Sequence, residues 1–112
     1  MLPKSNRLKK REDFNNVFKK GKTTAGKLIF LKALKNNLNI SRFGFVVNVK
    51  ISKKAVTRNK IKRQLRDIIR RNLPNIKTGT DIVIISRPEI IAKKYQEIKE
   101  EVEGLFFKAK LL

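Results

Sequence analysis

Between Lys50 and Arg71 the chain carries ten Lys or Arg residues and a single acid, Asp67. A guanidinium fork binds phosphate oxygens bidentately, so the segment has the chemistry to hold a polyanion. Ile61, Leu65, Ile68 and Ile69 recur within it at i, i+4, i+7 and i+8, the apolar stripe of an amphipathic helix. At about 100° per residue, Asn59, Arg63, Arg66 and Arg70 fall nearly opposite that stripe, with Lys62 on their flank. A solvated surface helix is the plainer reading of a charge run. Such helices, however, interleave acids and bases as i, i+4 pairs. One acid among ten bases leaves the row repelling itself until a polyanion neutralises it. The segment points to nucleic acid, and to RNA in particular.

Other chemistries are excluded by what is missing. The chain has no histidine and no cysteine, so common zinc sites, catalytic triads and imidazole acid–base pairs are unavailable. The nine acids are Glu12, Asp13, Asp67, Asp81, Glu89, Glu97, Glu100, Glu101 and Glu103. None forms a carboxylate dyad or a two-metal cluster. Glu100, Glu101 and Glu103 read as the solvated face of a helix. The five glycines are scattered singly and build no phosphate loop. If an activity involves this chain, the polypeptide is not expected to be the catalyst.

Composition sets the frame. A length of 112 residues predicts one domain spanning 1–112, burying about two thirds of its unfolded surface. The net charge of +20 and pI near 10.9 lie far beyond what solubility needs and imply a polyanionic partner. An anionic membrane surface is the weaker alternative, since Trp is absent and no basic amphipathic segment offers exposed aromatic rings. No apolar run of 18 residues is present, and Met1–Arg7 lacks the apolar core of a signal peptide. With no cysteine to form disulfides, a cytoplasmic protein is expected.

The elements that must carry these residues follow in order. Residues 1–9 read as a basic, flexible arm. Phe14, Val17 and Phe18 define one face of a helix over 10–20, with Glu12 and Asp13 at its positive end and Gly21 as a left-handed C-cap. Strands are predicted over 28–34 and 43–49, with a turn over 35–39, and a weakly signalled strand over 22–25. The basic helix starts between Ser52 and Thr57, either of which could cap it, and ends near Asn72 ahead of Pro74. A buried strand over 81–86 precedes a final helix from Pro88 to about Lys108. That helix places Ile91, Tyr95, Ile98, Val102 and Leu105 on one stripe. The order is αβββαβα, an α+β class: an α-β sandwich with a small mixed sheet packed with helices.

Phe14 and Phe18 are core residues on pattern alone. Strand alternation puts Phe30 and Lys32 on one face and Ile29, Leu31 and Ala33 on the other. A lysine beside a phenylalanine on a shared face suits a groove where rings meet bases and ammonium groups meet phosphates. A lysine snorkelling at a strand end fits equally well. Arg87-Pro88 is a stop signal first and a site second. The arm's Lys4, Arg7, Lys9, Lys10 and Arg11 add a second cationic surface.

Together these residues resemble the protein subunit of bacterial ribonuclease P. Arg58-Asn59-Lys60-Ile61-Lys62-Arg63 is similar to that family's Arg-Asn-Arg-x-Lys-Arg signature. Arg7 to Gly21 is similar to its first helix, and Asp81 to Pro88 to its last strand and exit. The resemblance covers nearly the whole chain in order. It implies a left-handed β-α-β crossover, against the ordinary rule. It implies a ribonucleoprotein endoribonuclease whose catalytic RNA, using Mg²⁺ that the protein does not itself ligate, cleaves the 5′ leader from precursor tRNA. On this resemblance Arg58, Asn59, Lys60, Lys62, Arg63, Arg66 and Arg70 contact the catalytic RNA. Phe14, Phe18, Phe30, Lys32 and Lys50 line a leader cleft. Three positions depart from the pattern. Lys60 keeps charge but loses the fork. Asn48-Val49-Lys50 stands where Ser-Lys-Lys is usual, and Lys32 stands where an aromatic is expected. The rival readings are a small ribosomal protein and a self-sufficient metal-dependent nuclease, with DNA or membrane binding last.

Overall fold

Seven residues, Thr80–Ser86, form the strand around which the rest is arranged. A computed structural model describes residues 2–112. Its elements are α1 (Arg11–Lys20), β1 (Lys22–Ala25), β2 (Ile29–Lys35), β3 (Arg42–Val46), α2 (Ala55–Asn72), β4 (Thr80–Ser86) and α3 (Tyr95–Lys108), with short 3₁₀ turns between some of them. The sheet order is β1-β2-β4-β3. β4 runs antiparallel to β2 and parallel to β3, so α2 is the crossover of a β-α-β unit. The run Ile82-Val83-Ile84-Ile85 is apolar throughout because both faces of this central strand are covered.

Alternation divides the sheet between two layers. Ile29 and Leu31 of β2, Phe43 of β3, and Ile82 and Ile84 of β4 face the main core. There they meet Ile61, Leu65, Ile68 and Ile69 of α2 and Ile98, Val102, Leu105 and Phe106 of α3. The Phe43 and Phe106 rings stack with centroids 6.5 Å apart. Val83, Ile85 and Val46 face the other way, toward Val17 and Phe14 of α1 and Leu8. Each large aliphatic side chain withdrawn from water contributes about 1.5–3 kcal/mol, so the α2–α3 layer carries most of the stability.

Several expectations need correction. The arm is docked: Leu2 is buried in the main core, Asn6 donates to the Ser41 carbonyl at 2.8 Å, and Arg7 bridges to Phe43 at the free edge of β3. Two apolar residues, Leu2 and Leu8, and an open strand edge anchor it. Gly21 ends α1 in extended geometry (φ −72°), not left-handed; its N–H donates to the Val17 carbonyl at 2.8 Å, and a Cβ there would strike that oxygen. Neither Ser52 nor Thr57 caps α2, whose N-cap is Lys54. β3 ends at Val46, short of 49. The final helix is split: Pro88–Ala92 is a 3₁₀ turn and α3 begins at Tyr95. The tighter turn rotates the stripe by one residue, burying Ile90 and leaving Ile91 exposed.

Two glycines give opposite expectations. A Cβ at Gly44 would run into the Phe14 ring, whereas one at Gly104, exposed on α3, would meet nothing within 4 Å. Gly44→Ala should cost about 1–3 kcal/mol through overpacking. Gly104→Ala should stabilise by about 0.5–1 kcal/mol through helix propensity. Urea unfolding midpoints of the two variants should therefore move in opposite directions from that of the parent.

Candidate nucleic-acid interface

α2 presents its bases as the spacing predicted, but not all of them are free. Asn59, Lys60, Arg63 and Arg66 are exposed, and Lys62 is half-buried on the flank. Asn59, Arg63 and Arg66, with Asp67, line a hollow of about 320 Å³. Arg58 is turned inward, its Nη1 donating to the Ser52 carbonyl at 2.8 Å, which braces the loop entering the helix. Arg70 differs most from expectation. Its Nη2 donates to Asp67 at 3.0 Å, and Arg71 Nε donates to the other oxygen at 2.9 Å. The single acid thus neutralises the C-terminal bases and leaves the middle of the row unpaired.

Asp67 also joins two helices. The Tyr95 hydroxyl at the start of α3 donates to Asp67 Oδ2 at 2.6 Å. That bond, followed by those from Arg71 and Arg70, holds the carboxyl well below the usual carboxylate range. Burial and the neighbouring carboxylate push the Tyr95 phenol up from 10.0.

The opposite layer leaves one row of the sheet half-open beside α1, here called the groove. Cross-strand register sets the outward residues in rows. Leu34, Asp81 and Arg42 form one row, Thr23, Lys32, Val83 and Gly44 a second, and Ala25, Phe30, Ile85 and Val46 a third. α1 lies over the first two, with Asp13 on Arg42, Phe14 above Gly44 and Val17 on Val83. The third row stays half-open: Phe30, Ile85 and Val46 are all partly exposed. Phe18 is 39% exposed, and Lys32 Nζ donates to its backbone carbonyl at 3.2 Å, which ties the last turn of α1 to this face. Lys50 sits exposed in the turn after β3.

The sequence reading named Arg87, Arg66 and the arm's bases, but three of their arrangements were not anticipated by it. The Arg87 guanidinium lies 5.1 Å from the centroid of the Phe30 ring, a cation–π pair that orients both over the groove floor. Arg66 lies 5.9 Å from the Phe45 ring. Around the edge of β3, Arg7, Lys9, Phe14, Gly44, Phe45 and Arg66 line a cleft of about 260 Å³ that runs from Phe14 on α1 to Arg66 on α2. A base directly after a strand was the available signal for Arg87. Nothing local could pair Arg66 with Phe45. Among the described residues no group of three or more acids is placed to hold a metal ion.

The Asp67 junction carries a pH signature. A depressed carboxyl contributes stability that is fully present above the ordinary carboxylate range and is lost as pH falls through its lowered pKa. A raised phenol contributes below pH 10 and loses that contribution as pH rises beyond it. Tyr95→Phe should therefore cost about 1 kcal/mol at pH 7, where Asp67 is ionised. The deficit should shrink in acid as the carboxyl protonates, checked by urea unfolding of both proteins from pH 7 downward.

Comparison with known proteins agrees with this geometry. The family model described as Ribonuclease P matches residues 2–110. A ribonuclease P protein component from a Pseudanabaena species is 43% identical over 113 residues, covering 100% of this chain and 97% of that protein. One from Alkaliphilus metalliredigens is 38% identical, covering 99% of each. Among solved structures, the Staphylococcus aureus RNase P protein superposes with a TM-score of 0.89 at 30% identity, covering 96% of this chain and 98% of that one. The Thermotoga maritima RNase P protein gives 0.82 at 37% identity, covering 88% and 93%. On sequence and on fold alike, the chain belongs to the family of ribonuclease P protein components.

Proposed function

We propose that the α2 row binds the catalytic RNA of ribonuclease P and that the half-open sheet row receives the 5′ leader of precursor tRNA. As a ribonuclease P protein component, the chain is the accessory subunit of a ribonucleoprotein endoribonuclease that matures tRNA 5′ ends. Asn59, Lys60, Lys62, Arg63 and Arg66 supply the contacts to RNA phosphates. Arg58 supports them by bracing the helix entry, and Arg70 offers only what Asp67 leaves free. Phe14, Phe18 and Phe30 offer stacking surfaces to unpaired bases, and Lys32, Lys50 and Arg87 offer charge to the leader backbone. The observation that carries this reading is the cleft at the β3 edge. Through it, Arg66 of α2 and Phe14 of α1, the helix beside the half-open row, border one cationic and aromatic surface.

The division of labour follows from the donor set. Asp13 and Asp81 are tied to Arg42, and Asp67 to Arg70, Arg71 and Tyr95. These acids are poor candidates for metal ligands, so Mg²⁺ belongs to the RNA in this proposal. There it would supply the activated nucleophile and leaving-group stabilisation for phosphodiester hydrolysis. The protein's part is to hold the leader and the catalytic RNA in register and to screen their mutual repulsion. No described helix is long and apolar enough to cross a membrane. The proposed place of action is the cytoplasm, with its precursor tRNA.

If roughly six phosphates are neutralised, the log–log salt slope for catalytic-RNA binding should be about −4 to −5, and Arg63→Ala should make it shallower by about 1. A slope near zero refutes the electrostatic model. The functional test is cleavage of a 5′-extended precursor tRNA at low Mg²⁺ by the protein alone, a bacterial ribonuclease P RNA alone, and both. Cleavage at the mature 5′ end only with both is expected. Cleavage by the protein alone would overturn the assignment of chemistry to the RNA.

A further inference from the structure

The width of the groove depends on where α1 stands, and α1 is held by polar contacts near both ends. At its first turn Asp13 Oδ2 accepts from Arg42 Nη1 at 3.2 Å. The rest of the Arg42 fork is spent on Asp81, Nε to Oδ1 at 2.8 Å and Nη2 to Oδ2 at 2.6 Å. Asp81 is 5% exposed and also accepts from Asn36 Nδ2 at 2.8 Å. Its carboxylate is therefore immobile, and the two-point fork leaves Arg42 no rotational freedom. Nη1 is offered in one direction only, toward α1. At the other end Lys32 Nζ holds the Phe18 carbonyl. Between them the Phe14 ring rests on bare backbone at Gly44.

We infer that Asp13 and Arg42 are positioning residues for leader recognition: the fork anchored on Asp81 sets the first turn of α1, and with it the distance of Phe18 from the Phe30–Ile85–Val46 row. This rests on the leader-groove reading above. Neither residue faces the groove floor, since Arg42 lies two rows away from Phe30 in the sheet. Their effect passes through the helix. Apolar contacts at Phe14 and Val17 keep α1 on the sheet but resist sliding poorly, because dispersion is non-directional. A charged hydrogen bond from a fixed donor supplies the missing direction.

The test uses the reconstituted holoenzyme and reads the ratio of affinities for precursor tRNA with a leader and the same tRNA without one. Asp13→Ala removes the α1 contact while leaving Arg42 on Asp81. Glu12→Ala makes the same charge change one residue away, at an exposed position. Asp13→Ala should lower the ratio about threefold, with catalytic-RNA affinity unchanged, while Glu12→Ala leaves both intact. Phe18→Ala reports on the groove itself. If it lowers the ratio and Asp13→Ala does not, the positioning role is overturned and the groove stands. If neither lowers it, the leader-groove reading falls and takes the inference with it. A parallel loss of RNA affinity and ratio in Asp13→Ala, with a lowered urea midpoint, would mean simple destabilisation and would also overturn the inference.

Discussion

A buried carboxylate organises the sheet. Asp81 is the one acid among the described residues that is buried, and it survives there because Arg42 and Asn36 satisfy it. An isolated charge in that environment would cost several kcal/mol, so the pair has to form for β3 and β4 to lie side by side. Their parallel pairing is the long-range step in the fold, since α2 and its flanking loops lie between them. Through Asn36 the same carboxylate fastens the turn after β2, and through Arg42 it reaches Asp13 on α1. One ionic cluster thus ties three strands or their turns to the helix that roofs the outer face.

The same economy runs through the whole charge distribution. Seven of the nine acids accept a hydrogen bond from within the chain: Asp13, Asp67, Asp81, Glu97, Glu100, Glu101 and Glu103. Glu101 alone receives the backbone N–H groups of Lys27, Leu28 and Ile29, closing the loop between β1 and β2. Acids in this chain are structural parts. Most of the 29 bases are left over, and their mutual repulsion is a standing cost that an RNA partner relieves. This is why a small sheet and three helices can carry so large a positive charge and still fold. The neutralising contacts sit where the core needs them, and the free cations point outward on α2.

Much of the fold is legible in the residue pattern. Ile61, Leu65, Ile68 and Ile69 are buried as their spacing required, and Phe30 and Lys32 do share the outward face of β2. Periodicity reads such features because it depends only on local geometry. Its failures have equally definite causes. Pro88 opened a 3₁₀ turn in place of the first turn of α3, which shifted the buried residue from Ile91 to Ile90. Leu2 and Leu8, isolated apolar residues in a basic arm, carried no pattern, yet both are buried in the two cores.

For the interface, the cationic row on α2 and its exposure follow from residue types at helical spacing, and they were readable from the chain alone. Which bases remain free depends on Asp67, which reaches Arg70 and Arg71 along its own helix at i, i+3 and i, i+4. Only tertiary structure adds Tyr95, from a helix more than twenty residues away, as a third partner of the same carboxylate. Residue pattern and resemblance suggested a groove near Phe30 and Lys32, but its layout exists only once β4 is inserted between β2 and β3 and α1 covers two rows of three. Arg87 on Phe30 and Arg66 on Phe45 are products of the same arrangement. Local spacing determines what a segment presents. Pairings between distant segments determine what that surface faces, because they depend on strand order and helix placement that no short window of sequence encodes.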